Sequence, residues 1–294
     1  MRTQTLKLRE TTLHIVEAGD PEKPAIVFLH GFPDCHDVWQ AQMDALSDDY
    51  HVISFDMRGA GKSTPPSGSQ GYRVPRLLHD IEQVINHVRG PQSQVHLVGH
   101  DWGSIIGWSF VSDPAYSPRV LSWTSLSGPH MGVGMNWAFD TLINGNRDTR
   151  VAAASQIAHS WYMMVLNVPG AGRTVFALLP KQFWKATMQL GGIPADSEHM
   201  NRSRQEARSL TSNTFRLYQQ NVLTPPTVPP LESVRVPSQI VILDEDAFVR
   251  PEVCQRMAAY CTNSRQIHIK ANHWAPVSNP ESVTKTIREF VSWH

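Results

Sequence analysis

The chain has 294 residues and a 41% apolar share, enough to bury the interior of one large α/β domain or of a core carrying an inserted lid. Its 26 Lys and Arg balance 26 Asp and Glu, so no net field favours phosphate backbones or anionic lipid; no nucleic acid partner is expected, and the substrate should be uncharged or handled locally. The N-terminal residues lack the apolar core of a signal peptide, and no stretch reaches the roughly 18 apolar residues of a spanning helix, so a cytoplasmic protein without a membrane span is expected.

In chain order, β-rich runs fall at 5–9, 12–18, 25–29, 52–55, 95–98 and 120–126. The later ones are nearly continuous apolar segments, as strands buried on both faces of a parallel sheet are. Between residues 75 and 90, Leu77, Leu78, Ile81, Val84, Ile85 and Val88 follow a helical stripe that stops at Gly90, in the C-terminal cap position. After about Gly128 the strand pattern ceases and returns only at 239–243 and 266–269. The stretch between reads as helical, rich in Trp, Tyr and Met, and closes on the stiff connector Thr224-Pro225-Pro226-Thr227-Val228-Pro229-Pro230. This divides the chain into a core of 1–128 and 229–294 and a helical cap, or lid, of 129–228. A last helix carrying Val283, Ile287, Phe290 and Val291 on one face returns to the sheet. The fold class is therefore α/β, with a mostly parallel central sheet flanked by helices.

The segment Gly99-His100-Asp101-Trp102-Gly103 follows the run 95–98 and precedes a helix-compatible run at 104–111. Small residues on both sides allow the sharp turn of a nucleophile elbow, and the exposed central side chain is Asp101. A serine attacking an sp³ carbon would leave an ether that no nearby base can hydrolyse. A carboxylate leaves an ester whose carbonyl water can attack, so the expected substrate is an alkylating electrophile such as an epoxide or alkyl halide. The competing reading is that Asp101 merely caps the following helix. In His30-Gly31-Phe32-Pro33, the backbone N–H of Phe32, together with that of Trp102, can face the oxyanion formed during ester hydrolysis, while His30 itself binds loop backbone.

The partners of such a nucleophile come in the order acid, then His. Within Ala271-Asn272-His273-Trp274, His273 would activate the water; Asp246, just beyond the run 239–243, would orient the imidazole and stabilise its charged form. Asp244 is a second candidate for the acid, because loop length decides which carboxylate reaches the ring. Gly59-Ala60-Gly61-Lys62-Ser63-Thr64 is not a phosphate loop, since that pattern needs Gly where Asp56 stands. Cys35, Cys254 and Cys261 lack CxxC spacing, so neither a disulfide framework nor a metal site is indicated, and no cofactor is expected.

These motifs, together with the stretch Asp56–Ser63 and His273-Trp274, resemble in their order those of the α/β-hydrolase-fold epoxide hydrolases, and the likeness spans essentially the whole chain. The resemblance implies conversion of a small, mainly apolar epoxide and water to a vicinal diol. It also implies two cap tyrosines that hydrogen-bond the epoxide oxygen: Tyr162, seven residues ahead of Pro169-Gly170, matches the first context, and Tyr218, shortly before Asn221, resembles the second. Haloalkane dehalogenases share the Asp nucleophile and the Trp after it, but commonly hold the halide with an Asn where this chain has Phe32. Fluoroacetate dehalogenases resemble the His30–Pro33 segment but place Arg where Trp102 stands. A non-catalytic ligand-binding protein on the same scaffold need not keep nucleophile, base and acid in order. Whether copies pair as a homodimer is left open.

Overall fold

A computed structural model describes residues 1–168 and 170–294, with the side chains of Ala171 and Arg173 also left out; Pro169, part of the context invoked for Tyr162, lies outside the described residues. Eight strands, β1 (Arg2–Lys7), β2 (Thr12–Ala18), β3 (Ala25–Leu29), β4 (His51–Phe55), β5 (Val95–His100), β6 (Val120–Leu126), β7 (Ser238–Leu243) and β8 (Ser264–Ile269), form one sheet in the order β1-β2-β4-β3-β5-β6-β7-β8. The pairs β1/β2 and β2/β4 are antiparallel. All the other pairs are parallel.

Strands β3, β4, β5 and β7 are buried along their whole length because each face is covered. Val27, Leu29 and Leu97 pack toward helices Val74–Arg89 and Trp102–Ser112. Their neighbours Ile26, Phe28 and Val98 point the other way, toward Gln40–Leu46 and Pro280–Val291. That alternation is the period of two inherent in a strand. The first strand departs from the expected 5–9: it runs Arg2–Lys7, because pairing with β2 aligns Leu6 with Leu13 and Lys7 with Thr12, and the chain then turns with Leu8 N–H donating to Thr11 O at 2.8 Å. The helix expected from 75 begins at Val74 and stops at Gly90, whose φ of 97° suits a residue without Cβ.

Between β6 and β7, among the described residues, the chain makes only helices: Met131–Asn144, Arg147–His159, Trp161–Asn167, Ala171–Leu178, Pro180–Leu190, Arg204–Thr211 and Arg216–Asn221, with a 3₁₀ turn at Glu198–Met200. Side-chain hydrogen bonds tie this layer to the sheet. Asn221 Oδ1 accepts from Val74 N–H at 3.0 Å while its Nδ2 donates to Tyr72 O at 2.9 Å. Trp184 Nε1 donates to Pro33 O at 2.9 Å, and Asn272 Nδ2 to Leu190 O at 3.1 Å.

Strand β5 passes into the helix Trp102–Ser112 through Asp101, at φ 52° and ψ −119°. The helix can start this close to the sheet because Gly103 has no side chain: a Cβ there would run into the carbonyl oxygens of Leu29 and His30. Gly103→Ala should therefore force the helix off β3 and lower folding stability by about 1–3 kcal/mol, as overpacking does. Urea denaturation measures this; an unchanged midpoint would mean that the helix can retreat without cost.

Candidate active site

The end of β5, the loop after β3 and the loops after β6, β7 and β8 converge at one edge of the sheet, as the C-terminal ends of parallel strands do. Asp101 sits at their centre, with its side chain 10% exposed. Phe32 N–H donates to its Oδ1 at 2.7 Å. Trp102, the first residue of the helix, carries one of the N–H groups that have no intrahelical partner. Of the two expected backbone donors, Phe32 N–H thus meets the carboxylate, and that of Trp102 adjoins Asp101 in the chain. His30 bonds loop backbone, its Nε2 accepting from Met57 N–H at 2.8 Å.

His273 Nε2 lies 3.6 Å from Asp101 Oδ2, and its Nδ1 lies 3.0 Å from Asp246 Oδ2. Asp246 is the carboxylate that reaches the ring. Asp244 instead pairs with His268, 2.6 Å away, on the exposed side of the loop. The Asp246 carboxylate is fully engaged: Oδ1 accepts from Phe248 N–H at 2.7 Å and Val249 N–H at 2.9 Å. His100 Nε2–H donates to His273 O at 2.8 Å and holds that backbone from behind.

Sequence reasoning passes over Ser127. It is buried, has φ 48°, and its hydroxyl donates to Asp246 Oδ2 while lying 2.8 Å from His273 Nδ1. Its place directly after β6, at the edge where the loops gather, is the one available clue.

Charge dominates this group. Burial alone would strip the proton from His273, but the carboxylates of Asp246 and Asp101 overcome it and push the imidazole up to about 10. Burial would likewise raise Asp246; the imidazolium, Ser127 and the backbone N–H of Val249 reverse this and hold it below its ordinary range. His100, buried beside His273, is pushed down to about 4 and stays neutral.

Above Asp101 lies a cavity of about 180 Å³. Trp102, Tyr162 and Tyr218 line it beside Asp101, and the remaining wall is mostly apolar, with Met131, Met135, Phe139, Ile157 and Val249 among its members. Tyr218 packs edge-on against Phe32 (5.3 Å), Trp102 (5.0 Å) and Tyr162 (5.8 Å between centroids). Burial and then the nearby negative charge raise both phenols, so each hydroxyl is a firmly protonated donor. All five side chains singled out from the sequence, Asp101, Asp246, His273, Tyr162 and Tyr218, thus gather at this cavity or behind it.

Two further clusters could hold a cation, His14/His36/Asp56 and Asp34/Asp37/His199. In both, the carboxylates already accept from protein donors: Asp56 from His36 Nδ1 at 2.6 Å, Asp34 from Trp274 Nε1 at 2.9 Å, and Asp37 from Arg202 at 2.6 Å. The Asp56–Ser63 stretch is a buried turn around that carboxylate, which also accepts from Lys62 N–H at 2.8 Å. The three cysteines are free and buried. Among the described residues, no helix is long and apolar enough to cross a membrane.

Residues 24–280 match the family described as the alpha/beta hydrolase fold, and the chain belongs to that family. It is 29% identical, over 94% of its length, to a Mycobacterium tuberculosis (strain ATCC 25618 / H37Rv) protein named probable oxidoreductase EphD, and the match covers 47% of that protein. The chain therefore spans about half the length of that relative. It is 26% identical to epoxide hydrolase 3 of Xenopus tropicalis, over 95% of this chain and 74% of that one. Among solved structures it is similar to an epoxide hydrolase of Bacillus megaterium bound to an inhibitor, with a TM-score of 0.75 and 26% identity over 98% of this chain and 100% of the other.

The shifts at His273 and Asp246 set a pH window. In the unfolded chain His273 titrates near its ordinary 6.5 and in the folded protein near about 10, so its contribution is fully present below 6.5 and lost as pH rises through 10. Asp246 acts in the opposite sense: its contribution is present above the ordinary 3.8 and lost as pH falls further. The unfolding free energy that separates the parent from His273→Gln should therefore shrink steadily between pH 6.5 and 10. Denaturant titrations across that range measure it; a difference independent of pH would show that the native imidazole holds no extra proton.

Proposed function

We propose that this chain is an epoxide hydrolase working through an ester on Asp101, with residues 129–228 as a cap over the catalytic core. The observation that carries the reading is a buried carboxylate with a backbone N–H 2.7 Å from one oxygen and an imidazole 3.6 Å from the other, beneath an apolar cavity that also holds two tyrosine hydroxyls.

In the first step an Asp101 oxygen attacks an epoxide carbon, the C–O bond breaks, and Tyr162 or Tyr218 hydrogen-bonds the departing oxygen and delivers a proton to it. The product is a neutral ester, and loss of the Asp101 charge alters the imidazole beside it. In the resting site two carboxylates hold the proton on His273; once one becomes an ester, burial works against the imidazolium, its proton passes to the tyrosinate left by ring opening, and the neutral ring is free to act as a base. His273 then takes a proton from water, whose oxygen adds to the ester carbonyl. Phe32 and Trp102 N–H stabilise the resulting oxyanion. Collapse breaks the bond to the alkyl oxygen, which takes the proton from His273 and leaves as the diol; the Asp101 carboxyl then passes its proton back to His273, with Asp246 and Ser127 holding the imidazole through Nδ1. Water is the only co-substrate the scheme requires.

His273→Gln should still be alkylated but should fail to hydrolyse the ester. Intact-protein mass spectrometry with an aryl epoxide should show a stable adduct on Asp101. Steady turnover with no adduct, or an adduct on another residue, removes Asp101 from the role.

An alkoxide is a strong base and needs a donor, whereas a halide leaves without a proton. Tyr162→Phe and Tyr218→Phe should each slow alkylation by an epoxide by up to about 10²- to 10³-fold, as loss of one oxyanion donor does. Diol and bromide are measured in parallel on an epoxide and a bromoalkane. Bromide release that outpaces diol formation, indifferent to both tyrosines, would make the protein a haloalkane dehalogenase using the same Asp101.

A further inference from the structure

Sixteen large apolar side chains are exposed among the described residues, and twelve of them lie between Phe139 and Leu190, on the helices that follow β6 or at their ends. Their spacing puts them on common faces. Phe139 and Ile143 are one helical turn apart; Trp161, Met164, Val165 and Val168 follow i, i+3, i+4, i+7; Val175, Leu178 and Leu179 follow i, i+3, i+4. Phe139, Ile157 and Met164 also line the cavity, although they are 58%, 39% and 58% exposed. The mouth of the cavity therefore opens through this apolar surface.

The neutral total of the chain hides a segregation of charge. Residues 131–190 carry five Lys and Arg against two Asp and no Glu, leaving the rest of the chain with a surplus of three acids. The basic groups border the apolar ones. Arg150 donates to Ile143 O at 2.7 Å, Arg204 reaches Leu178 O at 3.2 Å, and Lys181 and Lys185 are exposed on the next helix. Trp161, 64% exposed, supplies an indole with an apolar body and a polar edge, the side chain that favours a membrane interface.

We propose that this face docks on an anionic lipid surface, with the cavity mouth turned toward the bilayer. Apolar helix faces bordered by Lys and Arg are the composition of helices that lie in the headgroup layer. A second copy is the poorer occupant. In a two-fold dimer the same patch meets itself, which would bring Arg150 and Lys181 of one copy against the basic groups of the other. That apolar substrate enters from the acyl layer rests on the epoxide hydrolase reading; the docking itself does not.

The test is flotation of the full chain with phosphatidylcholine vesicles and with vesicles half phosphatidylglycerol, at low and high salt. The parent should float with the anionic vesicles and be released by salt. The triple variant Ile143→Ser, Trp161→Ser, Leu178→Ser should lose about ten-fold or more in partitioning to both lipids, and Arg150→Glu with Lys181→Glu about ten-fold to the anionic vesicles alone. Turnover of a water-soluble epoxide and the melting temperature should match the parent in the charge-reversed variant. A parent that stays in solution with anionic vesicles overturns the proposal. So does a parent dimer, detected by light scattering, that the triple variant converts to monomers, since the face is then a subunit interface. Flotation by a parent inactive on every epoxide would leave docking standing and remove the catalytic reading.

Discussion

Asp101 is a non-glycine residue held at φ 52°, and the rest of the site depends on that one backbone conformation. Holding it there costs about 1–3 kcal/mol, so the surroundings must over-determine it. They do so from several sides. Asp101 N–H donates to Leu126 O at 3.1 Å, its own carbonyl accepts from Ile105 N–H at 2.9 Å, and Gly31 and Gly128 leave no Cβ where the carboxylate and the turn pass. The strain therefore lies within a frame of strand, helix and glycine, and what emerges from the frame is one side chain aimed at the cavity. The reading of Asp101 as a mere helix cap has little support here, because its side chain makes no capping bond to its own helix.

Around that side chain the chemistry is a matter of charge placed out of water. Two carboxylates and an imidazole would be costly to bury separately; together, each ion has partners for its lone pairs or protons. Asp246 is satisfied by Ser127, two backbone N–H groups and the ring, so it stays ionised inside the protein. The arrangement is thus a balanced cluster in which the charge state of each member depends on the other two, the property that the proposed two-stage displacement would use.

Much of this is readable in residue order. The run 95–98 followed by Gly99-His100-Asp101-Trp102-Gly103 locates the elbow because a buried strand and small residues at a tight turn both leave local marks. The position of His273 after β8 follows from topology. The choice between Asp244 and Asp246 does not, since they differ by two residues in a loop whose path is set by Asn272 Oδ1 accepting from Ala247 N–H at 3.0 Å. Ser127 escapes notice because a lone serine after a strand has no periodicity, and its positive φ leaves no glycine to betray it. Asn221 enters the sequence reading only as context for Tyr218, yet its amide links the Arg216–Asn221 helix to the start of the Val74–Arg89 helix. Such contacts, between residues far apart in sequence, carry no local signature. The charge balance misleads for a related reason: a sum over the chain cannot report where the charges lie.

One contact between the layers has a practical consequence for redesign. Gln156, on the Arg147–His159 helix, donates to Phe248 O at 3.0 Å and accepts from Arg250 N–H at 2.7 Å, while the N–H of the same Phe248 donates to Asp246. Gln156 and Ile157 also form part of the cavity wall. The loop that aims the acid is thus fastened to the helix that shapes the pocket. On the epoxide hydrolase reading, selecting for bulkier substrates by displacing that helix would drag Asp246 with it, and breadth would be gained at the expense of rate. Trimming side chains on Met131–Asn144, whose Met135 and Phe139 face the same space, enlarges the pocket from a wall that, among the described residues, makes no hydrogen bond to the 244–250 loop, and is the better place for an engineer to begin.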